Sequence, residues 1–172
     1  MANMGMDALR DTLSNPAKTY LWEVLFANPI GGGDGNLVEL RCQTTNIPGR
    51  GHGEILIPYK GTPGIKFPGR LTMDHSWAVT FIEGTDKKVF DFLHGWQQAI
   101  TNDRTGIGGP DIAIKSDIYL RCLRMDNDSD AWLTIKLIGC YPQTVDSVPL
   151  TYEDDTSIFF NCTFSFDRWE EA

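Results

Sequence analysis

The sequence predicts a mainly β protein: an antiparallel β-sandwich or partly open barrel of six or seven strands, with one flanking α-helix and a long projecting loop. In residues 157–167, apolar residues alternate with polar ones, as on a strand with one buried face and one wet face. Several other segments repeat this period of two, and only one shows helical spacing. The chain has 172 residues, 41% of them hydrophobic, which is enough for one core, so residues 1–172 are predicted to form a single domain.

The chain opens with a predicted arm and a predicted strand. In residues 1–15, Met6, Leu9 and Leu13 fall on one helical face, but so short a helix is unstable alone. We therefore expect an N-terminal arm that docks on another surface. Residues 20–26 alternate and predict the first strand, which a glycine-rich turn follows.

A second strand is predicted where Val38, Leu40 and Cys42 stand at alternate positions. The polar residues of this segment would then form its wet face. They are Glu39, Arg41 and Gln43.

Residues 50–69 carry repeated proline and glycine turns, which predict an extended, hairpin-like loop that projects from the body. The loop also holds five sizeable apolar residues. Because a monomer would leave them exposed to water, we expect a neighbouring subunit to cover them. These residues are Ile55, Ile57, Tyr59, Ile65 and Phe67.

The second half of the chain is predicted to contain one helix among four strands. Apolar residues recur at helical spacing from Val89 to Ile100, which predicts the helix. A glycine-rich loop follows it, and a second long loop is expected over residues 142–156. Alternation predicts the strands, over residues 77–81, 118–125, 131–141 and 157–167.

The charge and the cysteines limit the classes of function. The chain has 15 Lys and Arg against 23 Asp and Glu, a net charge of -8, which argues against tight wrapping of nucleic-acid phosphates. The 4 cysteines have no Cys-x-x-Cys spacing, so we expect buried, reduced thiols. The sequence shows neither a signal peptide nor an apolar run that would span a membrane, which predicts a cytosol-like compartment.

No motif assembles a catalytic or metal site. The glycines of residues 31–35 lack the following Lys and Ser/Thr of a phosphate loop, and residues 126–130 begin like a calcium loop but lack its glycine and glutamate. His52, His75 and His94 show no metal-ligand spacing. We therefore expect no catalytic residues, no metal and no cofactor, and a protein that is not an enzyme.

A series of short stretches, in a fixed order along the chain, is shared with a known family. The stretches are residues 20–24, Cys42 with 47–49, 57–58, 67–69, 77–81, 89–93 with 96–97, 139–142 with Val145 and Leu150, and the closing 164–170. Through them the chain resembles the tail tube protein of contractile-tailed bacteriophages, a family related in fold to the ring proteins of type VI secretion. The glycine-rich insert after Pro29 and the loop over residues 101–115 depart from the family pattern.

The resemblance implies a structural protein of the virion tail, assembled in the host cytoplasm. Copies of the chain would form hexameric rings, stacked into the inner tube of a contractile sheath, a conduit for DNA ejection. The implied partners are the tail sheath protein, the baseplate and tail-terminator proteins and, in the lumen, the tape-measure protein and double-stranded DNA bound without sequence specificity; no membrane is implied. If each of six subunits gave four strands, the wall would be roughly 45 to 50 Å across.

Three sets of residues receive roles within this resemblance, since merged sheets would protect strand edges and their wet faces would line the lumen. The subunit or ring interface is the apolar set of the projecting loop, Ile55, Ile57, Tyr59, Ile65 and Phe67. A polar, net-acidic lumen lining that repels phosphates is assigned to Glu39, Arg41, Gln43, Asn161, Thr163 and Ser165. A patch that faces the sheath is assigned to Lys87, Lys88 and Asp91.

Other functions remain open for the same fold. The nearest is a tube or ring protein of a type VI secretion system, of an extracellular contractile injection device or of a tail-like bacteriocin, and a baseplate tube initiator is a further alternative. Genomic neighbours would separate a virus from the secretion devices. From another class, a monomeric glycan-binding β-sandwich would use an exposed aromatic residue such as Tyr59 or Trp132 as a stacking platform.

Overall fold

The computed structural model of the chain describes Met6, Leu13 and residues 16–27, 30, 35–125, 130–153 and 155–172. Within these ranges the chain is mainly β, as predicted. Its strands are β1 (Trp22–Phe26), β2 (Cys42–Thr45), β3 (Arg50–Tyr59), β4 (Thr62–Met73), β5 (Ser76–Ile82), β6 (Ser116–Leu123), β7 (Ala131–Val145), β8 (Phe159–Ser165) and β9 (Arg168–Glu171). Its helices there are α1 (Gly35–Leu40), α2 (Lys88–Ile100) and α3 (Asp111–Ile114).

Seven strands form one antiparallel sheet in the order β1-β6-β7-β8-β5-β2, with β9 paired to β7. The sheet is open, because β1 and β2 lie at its two ends. The long strand β7 belongs to two halves of the sheet. The first half-sheet consists of β1, β6, β9 and the first part of β7, which pairs with β6 and β9. The second half-sheet consists of β2, β5, β8 and the last part of β7, which pairs with β8.

Gly139 lies where β7 passes from one half-sheet to the other. Its φ of 70° is in the left-handed region, which glycine adopts without steric cost. A side chain at this position would also meet the carboxylate of Asp167. The Gly139 amide donates a hydrogen bond to Asp117 Oδ1 at 3.1 Å, so the backbone N–H at the bend remains hydrogen-bonded.

One core lies between the two half-sheets and helix α2. Its centre is aromatic: the Phe164 ring lies 6.1 Å from the Phe26 ring and 5.9 Å from each of the Trp77 and Trp96 rings, centroid to centroid. The indole nitrogens are satisfied, since Trp77 Nε1 donates to the Asn46 carbonyl at 2.8 Å and Trp96 Nε1 to the Ile114 carbonyl at 2.7 Å. The apolar faces of the strands and of α2 therefore pack against each other in one core.

Helix α2 confirms the predicted helix, and its start depends on a residue outside it. Both carboxylate oxygens of Glu83 accept backbone hydrogen bonds from the first turn, from Val89 N at 3.3 Å and Phe90 N at 2.7 Å. These amides have no partner within the helix, and a negative charge at this end is favourable to the helix dipole. Glu83 therefore fixes where α2 begins and joins it to the end of β5.

The predicted projecting loop is a two-stranded hairpin, formed by β3 and β4 and separate from the seven-stranded sheet, with a register shift between His52 and Glu54 and another between Ile57 and Tyr59. Its strands turn at Lys60 and Gly61, both of which have positive φ. The two strands pair with each other along their length and leave nearly all of their side chains exposed. The hairpin thus stands out from the body, as the proline and glycine pattern predicts.

The predicted second strand is partly wrong, because residues 35–40 form helix α1 and the strand begins only at Cys42. The alternation of Val38 and Leu40 misleads: Val38 is buried, but Leu40 is 81% exposed. The apolar and polar residues of this segment fit a helix as well as a strand, because a segment this short does not show which period it follows.

Three further expectations differ from the structure or lie outside it. Strand β7 continues through Pro142 to Val145, where a loop was expected, and β9 was not predicted. Most of the predicted N-terminal arm lies outside the described residues, which include only Met6 and Leu13 of it, and both are exposed. The turns expected over residues 31–35 and 126–130 also lie outside, apart from their last residues.

Candidate assembly surfaces

The apolar residues predicted to meet a neighbouring subunit lie together on one face of the hairpin. Ile55 pairs across the hairpin with Phe67, and Ile57 pairs with Ile65. Tyr59 continues the same alternation on β3. All five side chains are about half exposed or more, so the chain itself does not cover them. We call this set the apolar hairpin face.

The opposite face of the hairpin has a different chemistry. Glu54 and Lys66 form a salt bridge there, with Nζ and Oε2 3.0 Å apart. Leu56 stands beside them and is 50% exposed, close to the 53% of Ile57 on the apolar hairpin face. The hairpin therefore offers one apolar face and one mixed face, which gives an assembly contact a defined side.

The base of the hairpin is fixed to the body by a contact that the sequence pattern does not show. The Arg50 guanidinium carbon lies 3.7 Å from the centroid of the Trp169 ring, a cation–π contact, and Arg50 Nη2 donates to the Trp169 carbonyl at 2.8 Å. Met73 at the end of β4 packs against the core. These contacts join β3 and β4 to β9 and the core, so the hairpin leaves the body in a set direction.

The outer face of the second half-sheet, which points away from the core, is polar. Three predicted lumen residues, Asn161, Thr163 and Ser165, lie on it. The fourth, Gln43, is exposed on β2 at a register shift, where it has no partner in β5. Thr80 Oγ1 donates to Asn161 Oδ1 at 2.9 Å, which joins β5 to β8. We call this surface the polar sheet face.

The polar sheet face carries no charged residue on its four strands in the described chain. Ala78 lies opposite Thr163 and Ser76 opposite Ser165, while Thr144 extends the face on β7. At one end Ile82 pairs with Phe159, and both point outward. The face therefore consists mainly of hydroxyl and amide groups, with the apolar side chains of Ala78, Ile82 and Phe159.

Glu39 and Arg41 do not lie on the strands of this face, so the strand alternation expected for these two residues is wrong. Glu39 is in α1, where Oε1 accepts a hydrogen bond from Phe26 N at 2.6 Å. Arg41 follows α1 and donates to both oxygens of Asp86, at 2.8 and 2.7 Å, and to Glu83 at 3.2 Å. The hydrogen bond from Arg41 lowers the pKa of Asp86, and the same bond raises the pKa of Arg41.

The outer face of the first half-sheet is charged, with its charges arranged in pairs. Arg121 forms a salt bridge with Glu23 across β6 and β1, and Lys136 Nζ lies 3.0 Å from Asp117 Oδ2. The hydrogen bond to Asp117 raises the pKa of Lys136. The two halves of the sheet thus present outer surfaces of opposite character, one uncharged and one ion-paired.

The second half-sheet has two open edges. One edge is β2, which pairs only with β5. The other is the last part of β7, where residues 141–145 pair only with β8. Because neighbouring strands in this half-sheet are all antiparallel, β2 and β7 run in opposite directions. Unpaired backbone groups on such edges are a template for pairing with another chain.

The residues predicted to face a sheath stand at the start of α2. Lys87 precedes the helix with a positive φ of 55°, and Lys88 and Asp91 lie in its first turn. All three side chains are exposed. The structure therefore places them together on the surface, beside the Glu83 carboxylate that binds the same turn.

The remaining polar and aromatic candidates lie on separate elements. His52 is on β3, His75 precedes β5 and has Nδ1 3.0 Å from the Phe166 carbonyl, and His94 is on α2. Among the described residues there is no group of three His, Cys, Asp or Glu side chains that could hold a metal. Tyr59 is on the hairpin and Trp132 is on β7, so these two aromatics belong to different surfaces.

The cysteines are free thiols, as expected. Cys122, Cys140 and Cys162 are buried and Cys42 is partly buried. Burial raises the pKa of all four, to about 12 for Cys42 and Cys140. In the described part of the chain, no helix combines the length and the apolar character needed to cross a membrane.

Comparison with known proteins gives a family and a fold. The sequence model of the phage tail tube protein family matches residues 17–172 of the chain. None of the curated proteins matches the sequence significantly. Among solved structures, the chain is similar to a protein of an extracellular contractile injection system, the PVC sheath/tube terminator in the extended state. The TM-score is 0.65 at 15% identity, covering 91% of this chain and 96% of the other.

Two further structures extend the likeness. The PVC sheath-tube complex in the extended state contains a chain with a TM-score of 0.60 and 15% identity, covering 98% of this chain and 97% of the other. Hcp1 from Flavobacterium johnsoniae gives a TM-score of 0.51 at 9% identity, covering 89% of this chain and 95% of the other. At these identities the likeness shows a shared fold.

Proposed function

The chain belongs to the phage tail tube protein family, and from this premise we propose that six copies close into a ring and that rings stack into the inner tube of a contractile tail, a conduit for DNA ejection. Membership of the family makes the chain a structural tube protein rather than an enzyme. The ring size, the contractile tail and the cargo are our proposal. The tube would belong to a virion tail assembled in the host cytoplasm.

The two open edges of the second half-sheet carry this proposal. Strand β2 runs opposite to β7, so β2 of one copy can pair in an antiparallel way with residues 141–145 of the next copy. Each copy then adds four strands to a continuous wall, and closure of the ring leaves neither edge of the second half-sheet in water. With the core on the other side of this half-sheet, the polar sheet face lines the lumen.

The apolar hairpin face supports the stacking of rings. Ile55, Ile57 and Phe67 with their neighbours form an exposed apolar surface on an element that stands out from the body. Covering such a surface with a second copy is favourable, at about 25 cal/mol per Å² of apolar area removed from water. We assign this face to the contact with an adjacent subunit or ring.

The proposed partners follow from the same tube. Solved structures with this fold include a sheath-tube complex, a sheath/tube terminator and the baseplate of the anti-feeding prophage, which supports a sheath protein, a baseplate and a terminator as partners. Lys87, Lys88 and Asp91 are exposed and are our candidates for the contact with the sheath. Tape-measure protein and double-stranded DNA would occupy the lumen without sequence-specific contacts.

A tube terminator is the second candidate function. The likeness to the sheath/tube terminator, with a TM-score of 0.65, is at least as strong as that to the sheath-tube complex, with 0.60. A terminator would form a ring but would not propagate. The two candidates therefore share the ring and differ in the stack.

Negative-stain electron microscopy of the purified full chain tests the proposal. We expect hollow cylinders of repeated rings, with sixfold symmetry in end-on class averages. Single sixfold rings that do not stack at any protein concentration would identify a terminator or an initiator. A chain that remains monomeric in analytical ultracentrifugation at high concentration, or rings of another symmetry, would contradict the hexameric tube.

A further inference from the structure

We propose that rings of this chain stack head to tail, with the hairpin of β3 and β4 in one ring docked on residues 146–158 of a copy in the next ring. We call residues 146–158 the acidic loop. The inference rests on the proposed function, because it assumes that rings form and stack. It goes beyond that function because it names the surface that receives the hairpin and the charges that select this surface.

The hairpin is basic, although the chain as a whole is acidic. Residues 50–73 contain four Lys and Arg residues against one Glu, whereas the whole chain has a net charge of -8. The one acidic residue, Glu54, is paired with Lys66. Lys60 at the turn and Arg70 on β4 are exposed and have no acidic partner among the described residues. These two cations are therefore free to attract an acidic surface of another copy.

The acidic loop has the complementary character. It contains four acidic residues and no Lys or Arg. Asp146, Glu153 and Asp155 are exposed, and none of them forms an ion pair within the part of the chain that the structure describes. The loop also carries two exposed apolar side chains, Leu150 at 81% and Tyr152, which is fully exposed. It thus combines apolar groups with unpaired carboxylates, whereas the hairpin combines its apolar face with unpaired cations.

The two surfaces leave opposite ends of the second half-sheet. Strands β5 and β8 pair from Ser76 with Ser165 at one end to Ile82 with Phe159 at the other. The hairpin joins the first end, since β4 ends at Met73, and the acidic loop joins the second end, since it directly precedes Phe159. The 7 residues of β5 separate these ends by about 20 Å.

This placement gives a stack with a direction. Strands of a closed wall tilt by about 40° from its axis, so the two ends of the half-sheet lie at different heights along the tube. When all rings point the same way, the hairpin end of one ring faces the acidic loop of the next. Such a contact joins two different surfaces and repeats along the axis without closing. Two basic ends, or two acidic ends, would repel each other, so the charges also exclude a reversed ring.

Charge reversal on each surface tests the docking. Lys60→Glu with Arg70→Glu makes the hairpin acidic, and Glu153→Lys with Asp155→Lys removes the acidic character of the loop. At low salt we expect each double variant to raise the protein concentration needed for ring stacking by about tenfold or more. All four substitutions in one chain restore opposite charges, and this chain should stack within about threefold of the unchanged protein's concentration.

A matched control separates the docking contact from the total charge of the chain. Arg104→Glu with Arg124→Glu makes the same change of charge as the hairpin variant, on two exposed residues of other elements. We expect it to move the stacking concentration by less than about twofold, and it should not rescue the loop variant. Sedimentation of a dilution series gives the concentration, negative-stain electron microscopy counts single and stacked rings, and urea denaturation shows that every variant is folded.

Three results would overturn the inference. The double variants could stack at the same concentration as the unchanged chain, or the chain with all four substitutions could stack no better than they do. Loss of the single rings in the double variants would place the contact within a ring and not between rings. The proposed function fails in a different way, because the unchanged chain would then form no stacked rings.

Discussion

Phe164 is the residue on which the two half-sheets and α2 meet. It is fully buried on β8, and the centroid of its ring lies 5.9 to 6.1 Å from the ring centroids of Phe26, Trp77 and Trp96. Phe164→Ala would leave a cavity among rings that cannot collapse together. We expect it to lower the free energy of unfolding by about 3 to 5 kcal/mol, measured by urea denaturation of the subunit.

Phe159 is the matched control, since it lies on the same strand and faces outward with 41% of its surface exposed. Phe159→Ala should cost less than about 1 kcal/mol. Equal losses in the two variants would mean that β8 does not have one buried and one exposed face.

The face of the sheet on which a residue lies can be predicted from the sequence where the residue belongs to a strand with clear alternation. Asn161, Thr163 and Ser165 follow that rule and stand on the polar sheet face. Glu39 and Arg41 were assigned from the same rule, but a helical turn at residues 35–40 directs them toward Phe26 and Asp86 instead. The rule fails there because the segment is too short for its period to be defined.

At the scale of elements, the hairpin gives the sharpest test of assembly. Ile57 and Leu56 are adjacent on β3, have nearly equal exposure and point to opposite faces. Ile57→Ser removes apolar area from the apolar hairpin face, whereas Leu56→Ser changes the mixed face beside Glu54 and Lys66. We expect Ile57→Ser to raise the protein concentration needed for tube growth by about tenfold or more, from a loss of at least about 1.4 kcal/mol per contact.

Sedimentation of tubes from a dilution series would give that concentration, and urea denaturation would show that both variants remain folded. Leu56→Ser should move the threshold by less than about twofold. If the two substitutions weaken growth equally, the contact does not use one defined face of the hairpin.

Elements defined by local pattern were predictable, whereas those defined by distant contacts were not. The apolar spacing of α2 and the turns of the hairpin are local, and both are found as predicted. Strand β9 exists because it pairs with β7, and Arg50 stacks on Trp169 from 119 positions away. Pro142 marked an apparent end of β7, yet proline is tolerated in an edge strand, and this part of β7 is an edge.

For the whole molecule, alternation along the strands fixes the mainly β class, but it does not say how the sheet is divided. The division depends on Gly139, whose positive φ lets β7 serve both half-sheets. Because the second half-sheet ends in β2 on one side and β7 on the other, a copy of the chain carries both halves of a seam. The proposed ring closure would thus follow from the strand topology, which no single segment of the sequence displays.

The seam can be tested by cross-linking, since two cysteines form a disulfide only when their Cα atoms lie within about 7 Å. Gln43 is on β2, and Gln143 and Thr144 are on the open part of β7. We would combine Gln43→Cys with Gln143→Cys and, separately, with Thr144→Cys, because the stagger between copies selects which pair meets. After oxidation of assembled protein, we expect one double variant to give a ladder of covalent oligomers that stops at six in denaturing gels.

All of these variants are made in a Cys42→Ser background, because Cys42 is adjacent to Gln43, is only partly buried and could pair with a new cysteine on β7. Each single-cysteine variant is then a control and should remain monomeric, because its new thiol has no partner across the seam. A ladder that ends at another number would change the ring size while keeping the seam. If no combination links copies in protein that electron microscopy shows to be assembled, the ring closes through other strands, and the polar sheet face loses its place on the lumen.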